Sequence, residues 1–384
     1  MKRIIIAMLL VCMLVTGAFA ESTVYTATNE DQSAVDINGT QEAVITDAMI
    51  QKTGGNAFSA DASSFRGVNA AVRVYDQATL TISDSVIEAS AQNATGVFAY
   101  EGGIIHISDC TVTVTGSGSG GVQVAGGGTL YGSNLIVTSA SKAAIRSDRG
   151  GGIMVLDGGT YTSSGTNGCP AIYSTADITV RNAVCVSEQS RAVIIEGMNS
   201  VTLENVNIEG NDQSTKSGSV HANVLLYQSA SGDAKEGTSV FTMTGGSITS
   251  HSGAMFYCTN TASVINLNGA ALNMSEDGSL LIVSAGRWGK DGRNGSRCTL
   301  NAENQALTGS ITVDSISTLS IDMTESDFTG SINAEQEGGT VCVTMDEGSS
   351  WTLTSDSYVT SFSGDLKSID ANGYHLFVDG TEVL

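Results

Sequence analysis

Short apolar-x-apolar segments recur along almost the whole chain, ending at Ile82, Ile107, Leu130, Val155, Val180, Leu203, Met243, Leu267, Leu300, Ile321 and Val343. The first intervals are 25, 23, 25, 25 and 23 residues, and only two later ones, of 40 and 33, break the rhythm. A self-similar period of this length is the mark of a solenoid, whose units bury their apolar faces only against one another. Two residues after the anchors stand turn formers, namely Asp84, Asp109, Gly132, Asp157, Asn182, Asn205, Gly245 and Gly269. These residue types tolerate left-handed backbone, so the chain is expected to turn a corner once per unit.

Upstream of each anchor lies another alternating segment, at 72–75, 97–100, 122–124, 144–147, 172–174, 193–196, 224–227, 255–258 and 281–283. A third follows the turn, as at 111–114 and 206–208. Three short segments per unit, rich in Thr, Val and Ile, predict strands, and no helical periodicity of ten or more residues competes with them. Pro170 is the only proline, as a stack of doubly paired strands requires, and the glycine runs 126–128 and 150–152 mark corners. The repeat and composition resemble the right-handed parallel β-helix proteins, the pectate-lyase-like superfamily and its adhesin-like secreted bacterial members, over roughly residues 44–350. The resemblance implies an all-β, right-handed parallel β-helix solenoid of about eleven or twelve coils with capped ends.

Lys2 and Arg3, the apolar run 4–15 and the small residues of 16–20 predict a cleavable signal peptide over 1–20, too short to span a bilayer. A cap is expected over 21–43, the β-helix over 44–355 and a second cap over 356–384, where residues 374–378 and the Asp379-Gly380 turn read as a terminal hairpin. Insertions are expected near 52–68, 209–239 and 285–298, and loops on a rigid scaffold are where function concentrates. The mature chain would carry 15 basic and 39 acidic residues, a net charge of −24. That charge disfavours nucleic acid and anionic lipid as partners, and the absence of a second long apolar run argues against membrane insertion. The expected location is extracellular or at the cell surface.

Six cysteines would remain, Cys110, Cys169, Cys185, Cys258, Cys298 and Cys342, without a CxxC pair or a Cys/His cluster, so apolar filler is the expected role. No metal site or cofactor is expected. Calcium is suggested by the acidity alone, since neither an EF-hand loop nor a Gly-Gly-x-Gly-x-Asp repeat occurs.

In the first strand series the residues between the inward positions form an outward column: Arg73, Phe98, Gln123, Arg146, Tyr173, Ile194, Leu225, Phe256 and Ile282. Two residues on runs a second column that includes Tyr75, Tyr100, Asp148, Glu196 and Tyr227. Exposed aromatic rings interleaved with arginine suit stacking on sugars and donation to their oxygens. The insertion near 285–298 adds Arg287, Trp288 and Arg293. The expected ligand-binding residues are therefore Arg73, Tyr75, Phe98, Tyr100, Arg146, Tyr173, Arg287, Trp288 and Arg293, and the expected partner is a polysaccharide or a host or cell-surface glycan. The resemblance also takes in polysaccharide lyases and glycoside hydrolases, for which Asp148 and Glu196 are the candidate catalytic carboxylates. With no dense aspartate cluster and no Gly-His-Gly run, a non-catalytic adhesin-like or glycan-binding protein is the leading expectation, with a structural spacer as a third.

Overall fold

The computed structural model describes residues 22–384 except 167, 217 and 276–277; the expected signal peptide lies outside the described residues. Alternation with period two puts every second side chain of a strand inside, and the register between coils keeps those positions aligned. Thr79–Ser83 pairs in parallel with Ile104–Ser108, so Leu80 stacks on Ile105 and Ile82 on Ile107. Eleven parallel strands, from Val35–Ile37 to Ile311–Val313, form one sheet. The other two strand series merge into a 21-stranded sheet, because Gly128–Ser139 and Gly152–Ser163 run through the corner as single 12-residue strands. A four-stranded sheet continues the stack toward the C-terminus. The protein is a parallel β-helix, with one apolar core running the length of the solenoid.

Most corners turn where the sequence predicts. Asp84, Asp109, Asn182, Asn205, Gly245 and Gly269 have φ between 50° and 62°. Two do not: the left-handed residues are Asn134 and Gly158 rather than Gly132 and Asp157. Gly132 instead pairs with Ile107 and Leu156 at an inward slot. There Leu135 and Leu156 fill the space, since a Cβ on Gly132 would lie 2.6 Å from Leu156 Cδ2 and 2.9 Å from Leu135 Cδ1. The expected anchor Leu130 therefore sits two positions early, and Val155 faces outward between the buried Met154 and Leu156.

The first coil starts earlier than the apolar pattern suggests. Thr23–Ala27 pairs with Ala48–Lys52, and Val35–Ile37 with Val72–Val74, within the segment expected as an irregular cap. An end coil has a neighbour on one side only, which relaxes the demand for large apolar residues. At the other end Leu376–Val378 and Thr381–Glu382 form an antiparallel hairpin. The six cysteines are free; Cys110, Cys185, Cys258 and Cys298 are buried as core filler.

The expected insertion near 52–68 holds a helix, α1 (Ala60–Arg66). Ser59 caps its first turn by accepting from the Ala62 N–H, and Gly67 at φ 65° ends it. α1 lies on the outer face of the eleven-stranded sheet, where Gln123 donates to the Ser64 carbonyl at 2.8 Å. No described helix is long and apolar enough to cross a membrane.

Candidate ligand-binding cleft

Strand pairing orders the outward column as Arg73, Phe98, Gln123, Arg146, Tyr173, Ile194, Leu225, Tyr257 and Ile282. Phe256 is not a member; it pairs with Val224 and packs in the core, edge-on to Phe241. Phe98 is in the column but 0% exposed beneath α1, packed with Ala70 and Ala125, so it offers no open ring face for a ligand. Arg73 and Tyr75 stack on each other, 3.9 Å from guanidinium carbon to ring centroid, by the C-terminal end of α1. Arg73 also donates to the Arg66 carbonyl, and Asp36 lies 3.8 Å away.

Past α1 the column opens into a cleft of about 220 Å³, roughly the size of one sugar ring. Arg146, Tyr173, Arg287 and Trp288, four of the residues expected from the sequence, meet here, joined by Tyr227, Arg191, Lys216, Ser214 and Ser219. Its wall is built by the insertions near 209–239 and 285–298, whose Val220 and Trp288 pack against a satellite apolar cluster of Ile194, Leu225, Tyr227 and Tyr257. The Trp288 ring meets Tyr227 at 4.5 Å between centroids, and the Arg287 guanidinium lies 4.3 Å over Trp288. Arg293, on the other limb of the same insertion, lines a separate hollow with Arg297 and Glu236.

Two of the cations are fixed by buried carboxylates. Arg146 grips Asp148 through Nε at 2.6 Å and Nη2 at 3.0 Å, and lies 4.6 Å over the Tyr173 ring. Burial lowers the Arg146 pKa, but Asp148 and Tyr173 more than offset it, so the guanidinium is held protonated. Arg191, only 6% exposed, pairs with Asp212 at 3.0 Å and donates to the Val220 carbonyl. Burial pulls its pKa below the ordinary value, Asp212 opposes this, and Arg287 across the cleft adds like-charge repulsion. The Arg191 Nε–H is buried with no hydrogen-bond partner.

The two candidate catalytic carboxylates are both engaged. Asp148 accepts from Arg146 and from Gln123 Nε2 at 2.8 Å. Glu196, 1% exposed, accepts from the hydroxyls of Tyr173 at 2.5 Å, Tyr227 at 2.8 Å, Ser229, and Ser231 at 3.4 Å. Burial, together with Glu196, pushes both tyrosine hydroxyls well above their usual pKa, so they stay protonated as donors. The arrangement orients the aromatic floor of the cleft and leaves neither carboxylate free to face a ligand.

Arg191, Lys216 and Tyr227 were not among the expected site residues. Tyr227 lies on the second outward column beside Glu196 and was legible there, whereas Arg191 precedes its strand and Lys216 falls in a low-periodicity insertion. No group of three or more His, Cys, Asp or Glu among the described residues could hold a metal ion. Comparison with protein-family models, curated proteins and solved structures found no match to this chain.

Proposed function

We propose that this chain is a non-catalytic, glycan-binding β-helix, secreted and adhesin-like, of the right-handed pectate-lyase-like kind that its repeat resembles, and that its cleft takes an acidic sugar. One observation carries the reading. In a chain of net charge −22, Arg146, Arg191, Lys216 and Arg287 converge around Tyr173, Tyr227 and Trp288, with no carboxylate among the residues lining the cleft. Aromatic faces stack on sugar rings, while guanidinium groups bind carboxylate or sulfate oxygens in forked pairs. The engagement of Asp148 and Glu196 favours binding over hydrolysis or elimination. The apolar run and small residues at the N-terminus support export.

The test is titration of Trp288 fluorescence with polygalacturonate, chondroitin sulfate and neutral dextran, Trp288→Phe serving to subtract the buried Trp351. Saturable change with an acidic polymer and none with dextran supports the reading, and the two acidic polymers separate carboxylate from sulfate recognition. Release of reducing ends or unsaturated products by the wild-type protein would overturn it in favour of a lyase or hydrolase. Silence with all three polymers would favour a structural spacer.

A further inference from the structure

A second, open hollow of about 530 Å³ lies beside α1 and is lined by Phe58, Phe65, Arg66, Tyr100, Gly126 and Arg149. We infer that it is a second saccharide subsite, so that the ligand is a chain of several sugar units spanning both hollows; this rests on the glycan reading of the cleft. Phe58 is 64% exposed, yet its backbone is fixed by donation to Asp31 Oδ1 at 2.9 Å and by the Ser59 cap that follows at once. A large apolar ring held in solvent by an ordered backbone is a ready stacking face.

The rest of the hollow suits the same occupant. Arg149 lies 4.3 Å over the Phe65 ring. Gly126, at φ 55°, lays bare backbone against Tyr100, since a Cβ there would come 2.5 Å from Tyr100 Cε2. Next to it, Gly127 has nothing within 4 Å of its Cβ position, so this corner is open. Arg66 and Arg149 add guanidinium donors to the lining, balanced by Asp61 and by the Asp233 that pairs with Arg149.

One insertion reaches both hollows. Arg149 pairs with Asp233 at 2.6 Å, and Asp233 belongs to the insertion whose Ser229 and Ser231 donate to Glu196 under the cleft floor. In strand order Val97–Tyr100 precedes Ile172–Ser174 by three steps, through Val122–Ala125 and Ile145–Ser147. Three steps of about 4.8 Å, with Tyr100 two residues further along its strand than the position aligned with Tyr173, put the two backbone positions roughly 16 Å apart, a span that one sugar ring cannot bridge.

Calorimetry with oligogalacturonates and with chondroitin sulfate oligosaccharides, each as a disaccharide and an octasaccharide, tests this on the full-length mature protein. Linked subsites raise affinity through effective concentration, so the octasaccharide should bind about tenfold or more tighter than the disaccharide. Phe58→Ala should abolish most of that gain while leaving disaccharide affinity unchanged, and Phe58→Trp should retain it. Phe58 is exposed, so an unchanged melting temperature is expected for both variants. No gain with length, or a gain that survives Phe58→Ala, overturns the second subsite alone. Failure of every oligosaccharide to bind overturns the cleft reading and this one together.

Discussion

The Tyr173 hydroxyl donates to Glu196 Oε2 at 2.5 Å, and the Tyr227 hydroxyl joins it on the same oxygen. Glu196 thus ties together two coils of the aromatic floor while lying out of reach of solvent. Glu196→Gln weakens charge-assisted bonds to neutral ones and places an amide donor among hydroxyl donors, so unfolding stability should fall by about 1–3 kcal/mol in urea titrations. Affinity for an acidic glycan should fall with it, because the rings lose their fixed orientation. A stable Glu196→Gln protein with unaltered binding would remove this positioning role.

Asp212 is the sole ion-pair partner recorded for Arg191 among the described residues, and both are buried. Asp212 also accepts from the backbone N–H groups of Ser214 and Ala222, which closes the insertion wall of the cleft. Asp212→Asn would leave a buried cation uncompensated, and a loss of about 3–5 kcal/mol is expected in chemical denaturation. Ligand that binds only the folded state restores stability by mass action, so an acidic glycan should raise the melting temperature of both proteins.

The repeat was readable because inward positions such as Ile82, Ile107, Val180 and Leu203 alternate with polar neighbours. Alternation fails where the outer face is also covered. Ala222–Tyr227 and Ala254–Thr259 are buried at every position, so hydrophobicity could not tell Phe256 from Tyr257, and pairing alone places Tyr257 outward. The same covering explains Phe98: that an insertion near 52–68 exists is visible in the broken period, but that α1 lies back across the column is a tertiary fact. Arg146, Tyr173, Arg287 and Trp288 were found because the period or their concentration in one loop exposed them. Arg191 and Asp212 meet across an insertion that obeys no period.

Lys142 offers a pH test of the same region. Its ammonium group donates to Ser64 Oγ of α1 at 2.6 Å, and burial, followed by repulsion from Arg146, pushes its pKa down to about 8. The unfolded chain, with an ordinary lysine near 10.5, therefore binds more protons between pH 8 and 10.5. Lys142 thus disfavours folding below pH 8, and this penalty is relieved as pH rises through that window. Lys142→Met should accordingly be more stable than wild type at pH 7, by on the order of 1–2 kcal/mol after loss of the Ser64 bond, and the difference should shrink toward pH 10. Urea titrations of the two proteins across this range provide the check, and a difference that is flat with pH would contradict the assignment.

Asn205 and Gly245 occupy the same corner in successive coils. Both are left-handed, at φ 54° and 62°, and the Asn205 N–H donates to the Thr244 carbonyl at 2.9 Å. Asn205→Val forces a β-branched residue into that region and should cost about 1–3 kcal/mol, whereas Asn205→Gly, which relieves the backbone restriction, should cost far less. Gly245→Ala faces two penalties, its positive φ and a Cβ only 2.7 Å from Asn205 Oδ1. Only the second depends on the neighbour. Gly245→Ala should therefore be less destabilising in an Asn205→Gly background, and a double-mutant cycle should return a coupling of about 0.5–1 kcal/mol. Strict additivity would mean that the corner tolerates each residue by its own backbone alone, with no contact passed from coil to coil.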